Sequence, residues 1–358
     1  MKNPFIKNLP DGRQYTDFSC SINRVPIARL PLYGVEDTLE GKTVSQIFST
    51  GVITQDIKQN AETLGIDLSQ FNERNLIFEF VRKIGDGSDA AISMMKKYGR
   101  RLGLIFLTLK TGLQENRIAR SDWNDDCWEY WKNVERVILV GGLTSGALGA
   151  ILKAEALSVF EKANVKPYDF MLFDNASYIG VMGGASQIKQ ADGTFLVFDF
   201  GQTNLKRSIV IKNSGEITQA KMLESFPSQF MQPMKASDRT ALEQAKKLDI
   251  YLKRCICETT DYVGHSDKIS DEIIISIANY VCNGCLNGER GGYAKLKAIC
   301  ENYGEYLENE LSGHLRKKVS IRLIHDSTAA ALYFGDYKNS VCITIGTAFG
   351  VGFPEIKP

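Results

Sequence analysis

Phe195-Leu-Val-Phe-Asp-Phe-Gly-Gln-Thr-Asn204 is the stretch on which the fold turns. Its apolar run fits a strand buried on both faces, and Asp199 and Gly201 bring that strand to an end in a turn. Arg207 to Ile211 reads as the returning partner, and Glu216 to Lys221 as a third strand. Gly201 permits a tight bend and a close backbone approach. Gln202, Thr203 and Asn204 follow it, with amides that can meet phosphate oxygens. Asp199 is placed to hold magnesium, directly or through water, because that ion favours one or two carboxylates plus phosphates. The same residues also make a plain β-hairpin turn.

Three further segments repeat the design of a buried strand delivering a polar or glycine-rich turn. Val341 to Ile345 runs into Gly346-Thr347-Ala-Phe-Gly350-Val-Gly352, a flexible turn whose amides can cradle phosphates. Val137 to Val140 runs into Gly141-Gly142-Leu-Thr-Ser-Gly146, where bare backbone and a helix start can receive a flat ring or a phosphate. Val319 to Ile324 leads to His325-Asp326-Ser-Thr-Ala-Ala-Ala-Leu332 and a helix from Ser327 to Phe334. Asp326 is either a helix cap or a base that takes the proton from an attacking hydroxyl. Sheet edges of this kind are where α/β folds bind ligands. None of the turns is a Walker loop, since no Gly-Lys-Ser/Thr stands at the required spacing.

Between these segments the pattern alternates. Helical periodicity runs from Asp86 to Thr111, then from Thr144 or Ser145 to about Ala163, and from Ala176 to Ile188. Phe170 to Phe173 reads as a strand, and helical patterns fill much of 238–312. The first sixty residues mix short strand-like runs with turns. Strands alternating with helices predict an α/β fold.

Composition removes other classes. The 358 residues suit two lobes, and 43 basic against 42 acidic side chains leave no footprint for nucleic acid or an anionic membrane. No run approaches the roughly 18 apolar residues of a membrane span, and Met1 to Pro10 lacks the apolar stretch of a secretory signal. Eight scattered cysteines fit reduced thiols in a cytoplasm. Cys255, Cys257, Cys282 and Cys285 are two close pairs that can be written as a zinc set, but they lack knuckle spacing, and ordinary thiols are the preferred reading. His265, His314 and His325 form no metal cluster by spacing; His325, beside Asp326, is the one placed to touch substrate.

The four segments resemble the phosphate-1, phosphate-2, adenosine and catalytic-aspartate motifs of the actin, hexokinase and heat-shock chaperone superfamily. The nearest likeness is to the ROK family of bacterial sugar kinases and repressors. Asp199-Phe-Gly-Gln-Thr-Asn-Leu-Lys resembles its Asp-x-Gly-Gly-Thr, and His325-Asp-Ser-Thr-Ala-Ala-Ala-Leu its Asn-Asp-Ala-Asn-Ala-Ala-Ala-Leu, with Thr328 at the second asparagine. Gly85-Asp86 with the following helix, leading to Val137-Ile-Leu-Val-Gly-Gly, resembles the stretch through the adenosine motif.

The resemblance implies two ribonuclease-H-like lobes with ATP and magnesium between them. Gly201, Gln202, Thr203, Asn204, Gly346, Thr347 and Gly350 would hold phosphates, and Gly141 and Gly142 the adenosine. Asp199 would hold magnesium, Asp326 would act as base on a sugar-like acceptor, and His325 and Thr328 would contact that acceptor. Motif order is swapped relative to the family, which implies a circular permutation: residues 1–190 plus 336–358 as the second lobe and 191–335 as the first. The family's Glu-x-x-Gly-His segment and cysteine-rich loop have no counterpart around Arg24 to Leu39. A non-catalytic nucleotide- or sugar-binding sensor on the same fold is therefore the alternative, and a homodimer is left open.

Overall fold

The structure is a computed structural model that describes residues 2–173, 175–263, 269–289 and 291–358. In chain order, β1 (Ile6–Asn8) and β2 (Gln14–Thr16) form a hairpin. Six helices follow: α1 (Val44–Ile47), α2 (Thr50–Gln59), α3 (Glu73–Gly85), α4 (Asp89–Thr111), α5 (Gln114–Ala119) and α6 (Asp125–Asn133). Next come β3 (Arg136–Val140), α7 (Gly146–Lys162), β4 (Asp169–Leu172) and α8 (Ala176–Ala185). Strands β5 (Gly193–Phe200), β6 (Asn204–Asn213) and β7 (Glu216–Pro227) precede α9 (Ala241–Tyr262). The remainder is β8 (Glu272–Ile277), β9 (Val281–Cys282), β10 (Cys285–Leu286), α10 (Tyr303–Leu315), β11 (Ser320–His325), α11 (Asp326–Leu332), β12 (Ser340–Ile345) and β13 (Phe349–Gly352).

These elements form two compact units. The first holds Met1–Pro4, Ser19–Ala176 and Asn339–Val351; the second holds Phe5–Phe18, Ser177–Lys338 and Gly352–Pro358. In the first, a four-stranded sheet has the order β13-β12-β3-β4, with β12, β3 and β4 parallel. Helices α4 and α7 pack backbone to side chain at two glycines. A Cβ on Gly99 would lie 2.6 Å from Glu155 Cβ, and one on Gly103 2.8 Å from Val159 Cβ. Phe106, Phe160, Tyr168 and Phe170 close the core with edge-on ring contacts.

The second unit is a five-stranded sheet, β11-β8-β5-β6-β7, in which β5, β8 and β11 run parallel and β6 runs antiparallel to both of its neighbours. Period-two alternation in β5 explains its unbroken apolar sequence, since helices cover both faces. Leu196, Phe198 and Phe200 meet Leu248 and Leu252 of α9 and Leu307 of α10. Phe195 and Val197 meet Val181 and Ala185 of α8 and Ala329 of α11.

Three expectations change. The first sixty residues contain helix as well as short strands: Ser49 Oγ caps α2 by accepting from the Val52 amide, and Ile53 and Ile57 are buried one turn apart. Within 238–312, Glu-Ile-Ile-Ile-Ser-Ile277 is a strand, not helix. Every residue of it is buried, and a short continuous apolar run carries no periodicity that separates strand from helix. The division drawn at 190/191 falls instead at Ala176/Ser177, and hairpin β1–β2 belongs with the second unit. Small residues explain the first shift, because Gly184 sits against Val197 and Ile274 and Gly183 against the Ala329 carbonyl. The hairpin is held by Phe5 stacked on Phe353 at 5.9 Å and by the Gln14 amide on the Lys357 carbonyl.

A Cβ at Gly183 would stand 1.8 Å from the Ala329 carbonyl oxygen, so α8 and α11 cannot keep their spacing with any larger residue there. Gly183→Ala gains about 1 kcal/mol of helix propensity but forces the two helices apart. We expect a net loss of about 2 kcal/mol, read as a lower urea midpoint. An unchanged or higher midpoint would refute the tight contact.

Candidate functional site

Parallel pairing brings the ends of β5, β8 and β11 to one edge of the second unit's sheet. Asp199 lies opposite Ser276, and His325, the last residue of β11, lies opposite Ile277 of β8. Asp199 is 7% exposed, and both its oxygens are engaged: Lys206 Nζ donates to Oδ2 at 2.6 Å and Ser276 Oγ to Oδ1 at 3.0 Å. Lys206 reaches it because β5 and β6 pair Asp199 directly with Lys206. The Asp199 carboxylate raises the lysine's affinity for its proton above the ordinary value, against the effect of burial. Gly180 of α8 leaves room here, since a Cβ on it would lie 3.3 Å from Asp199 Oδ2.

Asp326 opens α11. Its Oδ1 accepts from the Ser327 amide at 2.6 Å and the Ser327 hydroxyl at 3.0 Å, and His325 Nε2 lies 3.3 Å away. Its side chain keeps 28% of its exposure. Burial first, and the Asp199 carboxylate second, push its pKa up to about 7, while the Ser327 hydrogen bonds and Lys206 pull the other way. Two carboxylates near one ammonium group thus differ in role: Asp199 holds the lysine, and Asp326 is left close to neutrality.

His325 and Thr328, expected at the acceptor, are 6% and 3% exposed. His325 stacks on Tyr280 with centroids 4.3 Å apart, and its Nδ1 lies 3.2 Å from Thr328 Oγ1. Thr328 Oγ1 is in turn 2.9 Å from Thr16 Oγ1 on β2. Burial lowers the His325 pKa to about 3, so the ring is neutral and its approach to Asp326 is not an ion pair. Both residues line a cavity of about 240 Å³ in this unit, together with Arg13, Tyr15, Glu308 and Arg322.

At the turn after β5, the Gly201 amide donates to the Asn204 carbonyl at 3.0 Å, and the Gly201 carbonyl accepts from Ser228 Oγ and Tyr293 Oη at 2.8 and 2.9 Å. Gln202 turns its side chain to the Ala278 carbonyl and the Gly292 amide, both at 3.3 Å, so the side chain braces the turn from beneath. Backbone N–H groups of Gln202 and Thr203 donate to no acceptor among the described residues. Thr203 is exposed, and Asn204 begins β6 opposite Pro227.

In the first unit, β3 and β12 run parallel and end together. Gly141, with φ at 121°, lies against the end of β12, where any Cβ would stand 2.2 Å from the Ile345 carbonyl oxygen. Gly142 and Gly346 face open space, and Thr144 Oγ1 folds back on the Gly141 carbonyl at 2.9 Å. Thr50 of α2 supports the second turn, its hydroxyl donating to the Gly346 carbonyl at 2.6 Å and its amide to the Thr347 carbonyl at 3.4 Å. Asn23 fixes Phe349, just before Gly350, through both backbone groups. Gly141, Gly142, Gly346, Thr347 and Gly350 therefore gather in one unit; Asp199, Gly201, Gln202, Thr203, Asn204, His325, Asp326 and Thr328 gather in the other.

Cys255, Cys257, Cys282 and Cys285 do not form the zinc set. Cys255 is buried in the core under α9, whereas Cys282 and Cys285 pair across the β9–β10 hairpin. Among the described residues no three of His, Cys, Asp and Glu are grouped to hold a metal ion. His314 is exposed, and His265 lies outside the described residues. No helix among the described residues is long and apolar enough to cross a membrane.

Lys206, Ser276 and Thr16 were not singled out in the sequence. Lys206 had a legible signal, since it and Asp199 are equidistant from the Gln202-Thr203 turn and must face each other in a hairpin.

No protein-family model matches the chain, and no curated protein matches it in sequence. Among solved structures, the ethanolamine utilization protein EutJ from Carboxydothermus hydrogenoformans is similar at 12% identity, over 64% of this chain and 75% of that one, with a TM-score of 0.30. An exopolyphosphatase from Cytophaga hutchinsonii is similar at 13% identity, over 58% of each chain, with a TM-score of 0.24. Neither likeness is close enough to carry weight; the strand orders and the side chains have to. What they define is a mixed α/β protein of two units, one of which presents a lysine-paired aspartate and a second carboxylate at a sheet edge.

The raised pKa of Asp326 has a consequence for stability. Its folded value lies above the 3.8 of an ordinary aspartate, so deprotonation costs the folded state nothing well below pH 4 and the full amount above pH 7. Asp326→Asn keeps an oxygen for the Ser327 bonds and removes the charge. We expect this variant to be more stable than the parent at pH 8, by on the order of 1–2 kcal/mol, with the gain fading toward pH 4. A variant less stable at pH 8 would show that Asp326 is not destabilised there.

Proposed function

We propose that this chain is an ATP-dependent phosphotransferase of the actin, hexokinase and heat-shock chaperone type, ROK-like and circularly permuted, which phosphorylates a hydroxyl of a sugar-like small molecule. The observation that carries the reading is the Asp326 carboxyl group. Its donors among the described residues, both from Ser327, lie on Oδ1, the charges of Asp199 and Lys206 act on it, and its pKa of about 7 suits a general base.

Strand order supports the fold assignment. Counted along the chain, the second unit's strands lie 3-2-1-4-5 with the second antiparallel to its neighbours, as in a ribonuclease-H-like sheet. The first unit's order β13-β12-β3-β4 reads 2-1-3-4 once β12 and β13 are counted first, which is the same order with its third strand left out. The permutation is thus supported by the order of strands within a sheet.

The residues divide the work. In the second unit the free amides after Gly201 would meet phosphate oxygens, and Lys206 would offset their charge. In the first unit, Gly141 and Gly142 offer bare backbone for the adenosine, and the Gly346 to Gly350 turn offers amides. Both Asp199 oxygens already accept hydrogen bonds, which fits a magnesium ion that keeps its waters and touches Asp199 through one of them. When bound, magnesium would neutralise phosphate charge. Asp326 Oδ2, to which no donor among the described residues is directed, would take the acceptor's proton as that oxygen attacks the terminal phosphate.

ADP release measured over a panel of sugars and polyols tests the reading. The parent should turn over at least one of them, with a rate that rises with pH as Asp326 deprotonates near pH 7 and levels off above it. Asp326→Asn should lower kcat by about 10²–10⁴-fold while leaving nucleotide affinity, measured by calorimetry with magnesium, nearly intact. Tight nucleotide binding with no ADP release over the whole panel would replace the kinase reading by the sensor reading; undiminished turnover in Asp326→Asn would remove Asp326 as base.

A further inference from the structure

Two hydroxyl groups from distant parts of the chain converge on one backbone oxygen in the second unit. Ser228, the residue after β7, donates from Oγ to the Gly201 carbonyl at 2.8 Å, and Tyr293 donates from Oη to the same oxygen at 2.9 Å. A carbonyl oxygen can only accept, so the direction of both bonds is fixed and both lone pairs are used. Tyr293 is fully buried, and burial holds its pKa well above the ordinary phenol value, so the hydroxyl keeps its proton.

The segments that carry these hydroxyls are themselves tied together. Nζ of the buried Lys295 donates to the Phe230 carbonyl at 2.6 Å, two residues on from Ser228. The Ser228 amide donates to the Thr203 carbonyl at 2.9 Å, and the Gly292 amide to Gln202 Oε1 at 3.3 Å. Three of the four carbonyls from Gly201 to Asn204 thus have donors: two hydroxyls on Gly201, the Ser228 amide on Thr203 and the Gly201 amide on Asn204.

Peptide geometry carries this over to an amide. The Gly201 carbonyl and the Gln202 N–H belong to one planar trans peptide, in which they point in opposite directions. With the oxygen held on a buried phenol, the N–H faces the other way, and it meets no acceptor among the described residues. Two bonds on the oxygen also polarise the peptide and make that N–H a stronger donor. Glycine at 201 makes the restraint necessary. It lets the plane rotate at little steric cost, and a rotated plane would present an oxygen where a hydrogen is wanted.

We propose that Ser228 and Tyr293 are positioning residues that pin the Gly201–Gln202 peptide with its N–H turned out to meet an anionic oxygen of the nucleotide's phosphates. Neither side chain need touch the nucleotide. The pinned plane stands on the bonds to the Gly201 oxygen; its use for phosphate rests on the phosphotransferase reading.

Gly201-Gln202 is the only Gly-Gln step in the chain, so the full-length protein labelled with ¹³C′-glycine and ¹⁵N-glutamine gives one carbonyl–amide cross-peak that reports both groups of this peptide. Tyr293→Phe keeps the ring in the core and should move the Gly201 carbonyl carbon upfield, the direction that follows loss of a hydrogen bond. Ser228→Ala should do the same, and the double variant should do more. Calorimetry with Mg-ADP, pyrophosphate and adenosine reads the consequence. Each single variant should weaken Mg-ADP and pyrophosphate about 3–10-fold, and the double variant about 10–100-fold, with adenosine affinity unchanged. A Gly201 carbonyl unmoved by both single variants overturns the pinning. A moved carbonyl with Mg-ADP held as tightly as by the parent, or with adenosine weakened equally, overturns its part in holding phosphate. If the parent binds neither Mg-ADP nor pyrophosphate, the carbonyl shift still decides the pinned peptide, and only the nucleotide reading falls.

Discussion

Lys206 Nζ, 2.6 Å from Asp199 Oδ2, is the contact that lets two carboxylates occupy one sheet edge. An unpaired buried carboxylate would cost several kcal/mol, and Asp199 is 7% exposed. The ammonium group comes from the next strand, directly across the hairpin, so the pair forms with the sheet and needs no further loop. The Lys206 charge also draws the Asp326 pKa down, but less than burial and Asp199 raise it. The result is one firmly held ion pair and one carboxyl group balanced between its two protonation states.

Register does the rest. Since β5, β8 and β11 are parallel neighbours, residues far apart in sequence arrive together: Asp199 beside Ser276, and His325 one strand further on. Parallel pairing needs helices on the sheet faces to cross back, and those helices must sit close. The glycines of α8 allow it. Gly180 faces Asp199, Gly183 the Ala329 carbonyl and Gly184 the side chains of Val197 and Ile274, so the same helix that covers the sheet also walls the site.

Much of this was legible in the sequence. Strands ending in Asp199-Phe-Gly, Gly141-Gly142, His325-Asp326 and Gly346 are marked by apolar runs that break at a glycine or an acid, and each such strand is present. β8 was hidden because Ile-Ile-Ile is equally a buried strand or a buried turn of helix, and Ser276 was lost with it. Thr16 had no local signal at all, since its meaning comes from a partner at Thr328 that only tertiary packing supplies. The place of α8 was misjudged for a related reason: its glycines predict close packing but not against which sheet. Patterns of two to four residues survive in sequence; partnerships across the chain do not.

The chain passes from one unit to the other five times, at 4/5, 18/19, 176/177, 338/339 and 351/352. Neither unit is therefore a continuous piece of polypeptide. During synthesis the hairpin at 5–18 leaves the ribosome long before the five-stranded sheet exists, and residues 352–358, which belong to that same unit, are made after β12. No single cut of the chain separates either unit whole from the other. Each unit is completed by a segment that lies past residue 338, so the last contacts of both form late in synthesis.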